Sequence, residues 1–223
     1  MRSPRLTAEC LGTALLLFVI VGSGIRAGQS GMHAHAVVVG LALGVLIALF
    51  VSVSGAHFNP VVTFALWRRR SVGGPLAMGY VAAQLIGGVI GVVLAHASFG
   101  ASLVSSSTVG PTGVGPLVAE VIGTAILVLL VLVLTELGRV TWIPASVGAW
   151  VAVMVFASSS GGFLNPAVTI ARSLTDSDTG VAIASVPALV AAQVVGSLVA
   201  LVLMSYVLFN PNQKESHASH THP

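Results

Sequence analysis

"GGFLNPAVTIARS", residues 161–173, interrupts an otherwise apolar chain. Asn is a strong helix N-cap and Pro is favoured at the first helical position, so the stretch opens a helix abruptly. The same arrangement occurs earlier as "SGAHFNPVVT", residues 54–63. Each copy has a Gly/Ser-rich approach, "SSSGGFL" in one case and "SVSGAHF" in the other. The runs that begin at Asn59 and Asn165, residues 59–67 and 165–174, are too short to cross a bilayer. A ten-residue helix rises only about 15 Å, against a hydrocarbon core of about 30 Å. Two such half-helices entering from opposite faces would meet near the middle.

The rest of the chain makes a bilayer the natural solvent. Of 223 residues, 56% are hydrophobic and 7% charged, whereas a soluble domain carries about 25% charged residues. Six long apolar runs, at 6–24, 34–53, 75–98, 116–137, 143–159 and 184–208, are long enough to read as spanning helices. The first has the basic start of a signal peptide, but no clear cleavage site follows, and it is read as a span. A single cysteine, Cys10, excludes an internal disulfide framework and is expected to be buried as a small packing residue. No basic stripe with interleaved aromatics points to nucleic acid. No metal-ligand cluster or nucleophile–base pair sits within the spans, so neither a cofactor nor an enzyme is expected. His217, His220 and His222 fall in a tail, 210–223, read as disordered rather than metal-binding.

The two halves repeat. "AECLGTA" (8–14) matches "AEVIGTA" (119–125), "NPVVT" (59–63) matches "NPAVT" (165–169), and "VAAQLIGG" (81–88) matches "VAAQVVGS" (190–197), in the same order. The offsets are 111, 106 and 109 residues. Three spans per half, an odd number, invert the second half in the membrane, an arrangement typical of transport proteins. Arg2, Arg5, Arg68, Arg69, Arg70, Arg139 and Lys214 fall on one side of this topology, and Arg26 and Arg172 on the other. The positive-inside rule then places both termini in the cytoplasm, as expected for a multi-pass protein of the cell membrane.

With these residues in view, the chain from 6 to 208 resembles the aquaporin (major intrinsic protein) family. The resemblance rests on Glu9, Gly12 and Thr13, on "SGAHFNPVVT", "YVAAQLIGG" and "AEVIGT", and on the second "NPA", Asn165, Pro166 and Ala167. It implies an all-α membrane protein with six transmembrane helices plus two re-entrant half-helices. It further implies one channel domain over 1–223, with inverted repeats at about 6–98 and 116–208, and a homotetramer whose protomers each hold a pore. Small neutral solutes would be its cargo and the bilayer its partner. The first motif departs from the family pattern, since Val61 follows Asn59 and Pro60 where Ala is usual.

Asn59 and Asn165 are the strongest site candidates. A capping Asn accepts a backbone N–H through its carbonyl oxygen and leaves its NH₂ to donate into a lumen, at the positive end of a half-helix. The bland reading is that both are merely caps. Glu9 and Glu120 lie inside spans, where an acid is costly. They either relay protons, as in a coupled carrier, or accept hydrogen bonds from the re-entrant backbone. His57 resembles the family's pore-lining loop histidine, or is a hydrogen-bonded loop residue. His33, His35 and His96 are read as polar residues at helix ends. Gly12, Gly40, Gly44, Gly87, Gly88, Gly91, Gly123 and Gly196 are read as helix-packing positions.

Most of the family carries an arginine three positions after the second Asn, at a narrow outer constriction. Here that position is Val168. The resemblance puts the partner positions at Val39 and Gly162. For the fifth span, counting back twelve from Asn165 gives Val153, and a shorter loop gives Val155 or Phe156. A constriction so built is wide and apolar. Arg172, one turn further along, either reaches the vestibule or pairs with Asp176 or Asp178. "NPAVTIARSLTD" resembles a bacterial subgroup lacking the filter arginine, associated with arsenic resistance and with passage of arsenite and methylated arsenicals. An ordinary water or glycerol channel is the alternative within the fold.

Overall fold

The computed structural model describes residues 3–208, so the tail histidines His217, His220 and His222 lie outside the described residues. Among the described residues, six helices are long and apolar enough to cross a membrane: Ser3–Ala27, His33–Ser54, Gly74–Ser98, Val114–Glu136, Val140–Ala157 and Ile183–Tyr206. They carry the six apolar runs. The two half-helices are Pro60–Arg68 and Pro166–Ala171, the second prolonged by a single 3-10 turn, Arg172–Leu174. The first two spans are separate helices that turn at Gly31, whose backbone is non-helical (φ 81, ψ 156). Apolar side chains such as Leu41, Val45, Met78, Ile122 and Val202 are exposed on the outside of the bundle, which suits a lipid-facing surface.

The inverted repeat is written into the helix contacts. A Cβ on Gly87 would lie 2.2 Å from the carbonyl oxygen of Cys10, and one on Gly196 would lie 2.5 Å from that of Val121. These are equivalent contacts, third span on first and sixth on fourth. The second and fifth spans cross at Gly40 and Gly148, where a Cβ on either would lie 2.5 Å from the other's carbonyl oxygen. Small residues let backbones approach where lipid supplies no hydrophobic drive for helix association. Cys10 is half-buried rather than buried, and its carbonyl lies against Gly87.

Two irregular loops, 55–58 and 161–164, must sit inside this bundle. At that depth every backbone N–H needs a protein partner. The loops also adopt left-handed backbone at Gly55 (φ 91), Ala56 (φ 50) and Phe58 (φ 48), and at Gly161 (φ 79), Gly162 (φ 64) and Leu164 (φ 50). For residues other than glycine this costs roughly 1–2 kcal/mol each. Two carboxylates offset that cost. Glu9 accepts hydrogen bonds from the Ser54 hydroxyl (2.6 Å), the His57 and Phe58 N–H groups (3.0 and 2.8 Å) and the Gln84 amide (2.7 Å). Glu120 accepts the equivalent four from Ser160 (2.7 Å), Phe163 (3.0 Å), Leu164 (2.8 Å) and Gln193 (2.6 Å).

The same two glutamines also donate to the first turns of the half-helices, Gln84 to Thr63 Oγ1 at 3.0 Å and Gln193 to Thr169 Oγ1 at 2.8 Å. Ser54 and Ser160 close the turns by accepting from the N–H of Ala56 (3.0 Å) and Gly162 (3.1 Å). The three repeated sequence motifs therefore meet at one cluster per half: a glutamate, a loop with its Asn-Pro helix, and a glutamine.

Two outcomes follow for stability, each read as the thermal midpoint of purified protein in detergent. Gly87→Val drives a side chain into the Cys10 carbonyl and is expected to cost several kcal/mol, beyond the roughly 1–3 kcal/mol usual for overpacking. Glu120→Gln replaces an acceptor of four bonds by a group that turns an NH₂ toward donors. It is expected to cost on the order of 3 kcal/mol. An unchanged midpoint for Glu120→Gln would show that the carboxylate does not hold the loop.

Candidate functional site

The half-helices meet tip to tip inside the bundle, and the two asparagines are their caps. Asn59 Oδ1 accepts from the N–H of Val61 at 3.0 Å, and Asn165 Oδ1 from those of Ala167 and Val168 at 2.9 and 3.3 Å. Each amide then crosses to the other repeat. Asn59 Nδ2 donates to the Leu164 carbonyl at 2.8 Å, and Asn165 Nδ2 to the Phe58 carbonyl, also at 2.8 Å. The reading that left each NH₂ wholly to the lumen is corrected to one N–H per asparagine, since the other is spent on the opposite loop. The left-handed Phe58 and Leu164 are the residues whose carbonyls take these bonds. Pro60 is half-buried and Pro166 and Ala167 are buried. Val61 is buried too, and its carbonyl accepts from Ser197 Oγ at 3.2 Å.

A lumen runs past both asparagines. Its wall includes Leu16, Ile20, Val39, Leu43 and Ile47 from the first two spans and Leu127, Val147, Val151 and Val155 from the fourth and fifth. The loops and half-helices add His57, Phe58, Val62, Gly162, Phe163, Leu164, Val168 and Arg172. The wall is mostly aliphatic, and its polar groups cluster at the asparagines and towards the mouths.

The fifth-span positions need correction. Val153 is 50% exposed and Phe156 59% exposed, and neither lines the lumen. Val151 and Val155, four apart, share the inward face of the helix. Val153, two residues from each, falls on the far side. Phe156 lies instead against His33 in a tilted ring contact, with centroids 4.8 Å apart. Val155 faces the lumen because the loop is tight: a Cβ on Gly162 would lie 2.6 Å from Val155 N, so only glycine lets the loop close against the fifth span here.

Arg172 is buried and lines the lumen one turn beyond Val168. It does not pair with Asp176 or Asp178: among the described residues no carboxylate lies within salt-bridge distance of it. Its Nε–H donates to the Thr179 carbonyl, and its guanidinium carbon lies 3.7 Å from the centroid of the Phe163 ring. Burial pushes its pKa down to about 9, against the pull of the Glu120 carboxylate, so the group stays charged at neutral pH.

His57 lines the lumen on the other side of the asparagines, with Nδ1 3.1 Å from Thr63 Oγ1. Phe163 occupies the equivalent position in the second repeat. There Thr169 turns its hydroxyl to the Asn165 carbonyl, at 2.8 Å. Thr63, which has the imidazole beside it, makes no such bond. Its hydroxyl instead pairs with His57 Nδ1 while accepting from the Gln84 amide.

Two histidines read as helix ends do more. His96 is buried and bridges the Leu103 carbonyl (3.0 Å) and Thr175 Oγ1 (2.8 Å), tying the third span to the segment after the second half-helix. His35 is 3% exposed and lines the lumen. The available signal was its place four residues before Val39, on the same helical face. His33 remains exposed.

Comparison with known proteins places this architecture. The family model described as "MIP: Major intrinsic protein" matches residues 3–158 and 140–223. The aquaglyceroporin AqpS of Rhizobium meliloti (strain 1021) is 34% identical over 212 residues, covering 92% of this chain and 90% of its own length. The probable aquaporin AqpM of Archaeoglobus fulgidus is 29% identical and covers 91% of this chain and 96% of its own. The X-ray structure of the aquaglyceroporin from Plasmodium falciparum shares the fold, with a TM-score of 0.78 at 21% identity over 93% of this chain and 97% of that one. A bundle of six spans, two half-helices capped by crossed asparagines and a lumen between them thus coincides with sequence similarity along nearly the whole chain, and the protein belongs to the major intrinsic protein family of membrane channels, not to any class of enzyme.

Proposed function

We propose that this chain is a passive channel with a wide, arginine-less constriction that passes small uncharged solutes, glycerol and arsenite or methylated arsenicals among them, as well as water. One observation carries the reading. Val39, Val155, Gly162 and Val168 all line the lumen, and the family resemblance assigns them the positions where most members narrow around an arginine. Three aliphatic side chains and a glycine carry no long polar side chain into that level, so the apolar parts of a solute meet a matching wall there while its hydroxyl groups must be compensated elsewhere. At the centre, each asparagine offers one N–H at the positive end of a half-helix. That arrangement orients a passing solute oxygen and opposes cations and a continuous proton wire.

The cytoplasmic side in this reading is the face that carries Arg5, Arg68, Arg69, Arg70 and Arg139. Both termini lie there, in the cell membrane, and four copies assemble with a lumen in each protomer. The names of the relatives, aquaglyceroporin among them, agree with a solute-conducting pore. A proton-coupled carrier is disfavoured, because Glu9 and Glu120 each already accept four hydrogen bonds from structural donors.

The test is stopped-flow light scattering on proteoliposomes with gradients of water, glycerol and neutral arsenous acid. Fast entry of both solutes is expected, abolished in Asn165→Asp. Val168→Arg is expected to slow glycerol and arsenous acid by about tenfold or more, the equivalent of a barrier raised by about 1.4 kcal/mol, while water still passes. Rapid water flow with both solutes excluded from the wild type would sink the wide constriction.

A further inference from the structure

The lumen carries a second polar level that the sequence does not advertise. The second span and the second half-helix both approach the mouth opposite the basic face. Along the span, His35 lies four residues outward of Val39. Along the half-helix, Arg172 lies four residues outward of Val168. Both step from the valine level by one helical turn, about 5.4 Å, and both line the lumen.

Each side chain is held by one edge and leaves the other free. Ser23 Oγ lies 2.6 Å from the Val19 carbonyl, which can only accept, so the hydroxyl proton goes there. Ser23 Oγ must then accept from His35 Nδ1, 2.8 Å away. The proton of the neutral ring is therefore on Nδ1, and Nε2 carries a lone pair. No described residue bonds Nε2. Arg172 spends its Nε–H on the Thr179 carbonyl and lays its guanidinium on Phe163. Its four terminal N–H groups have no hydrogen-bond partner among the described residues. One side of the mouth thus only donates, and the other, with its ring neutral, only accepts.

We propose that His35 and Arg172 form a solute-selecting pair one turn outside the valine level, specific for uncharged molecules with two or more hydroxyl groups. A hydroxyl both donates and accepts, so such a solute can donate to His35 Nε2 while accepting from Arg172. The two bonds replace lost hydration just before the solute enters a stretch that offers none. The role of the missing filter arginine is split between two side chains and moved outward. The inference rests on the pore reading above and names the solute class that the pore prefers.

The test measures the glycerol-to-water permeability ratio in proteoliposomes of the wild type, His35→Ala, Arg172→Ala, the double variant and His35→Gln. Intact fold is checked by monodisperse elution and retained water flow. Each Ala variant is expected to lower the ratio by about three- to tenfold. The double variant should fall short of the product of the two losses, because a bridging solute needs both partners. His35→Gln, which keeps an acceptor on the second span, should recover most of the ratio. Ser23→Ala removes the group that orients the tautomer and should lower the ratio less than His35→Ala. Unchanged ratios in both single Ala variants, with the wild type conducting glycerol, would overturn the pair and leave the pore reading intact. A wild type that conducts neither glycerol nor water would overturn the pore reading itself.

Discussion

Irregular backbone cannot stand in a bilayer without partners, and this fold depends on how that demand is met. Two carboxylates, Glu9 and Glu120, each collect two backbone N–H groups, one hydroxyl and one amide. Without them, the left-handed turns that precede Asn59 and Asn165 would expose donors to an apolar interior. The direction of each half-helix, the crossing of the asparagine amides and the course of the lumen all follow from where these loops are tied. An acid in a membrane span usually invites a functional reading; here its oxygens are occupied by the scaffold.

The pseudo-symmetry of the two halves makes their differences informative. Ala56 and Gly162 are equivalent, yet only Gly162 is pressed so closely on the fifth span that a side chain has no room. His57 and Phe163 are equivalent as well. The imidazole takes the hydroxyl of Thr63, whereas the phenyl ring carries the guanidinium of Arg172. The same backbone template is thus decorated with a titratable ring on one side of the asparagines and with an aromatic platform for a cation on the other. Asymmetry of this kind separates the chemistry of the two mouths without disturbing the repeat that shapes the pore.

The architecture was legible because it depends on length, on repetition and on a helix-start signal, all of which survive in one dimension. The spans were bounded by apolar runs, and Asn-Pro marked both half-helix starts. The glutamate–loop–glutamine cluster was half legible: the three repeated motifs stood out, but their convergence on one point is a property of the folded chain. The fifth-span residue was not legible, because the count from Asn165 runs through a loop whose tightness depends on Gly162, and a miscount by two residues turns a helix face from lumen to lipid. His35 was overlooked for a different reason. A histidine near a helix end looks like an interfacial residue until its face is known.

The crossed asparagine bonds carry a consequence for how the protein is made. Asn59 gives its amide to a residue 105 positions later in the chain. At ribosomal rates of roughly 5–20 residues per second, the first re-entrant segment waits roughly five to twenty seconds for its partner to be synthesised. During that time the Phe58 carbonyl and the Asn59 amide lack the bonds they make in the finished protein. The early half must be inserted, then held unfinished, until a later half of opposite orientation arrives to complete it. The crossed asparagine bonds can therefore form only after both halves have been made, which sets the closing of the lumen late in the assembly of the chain.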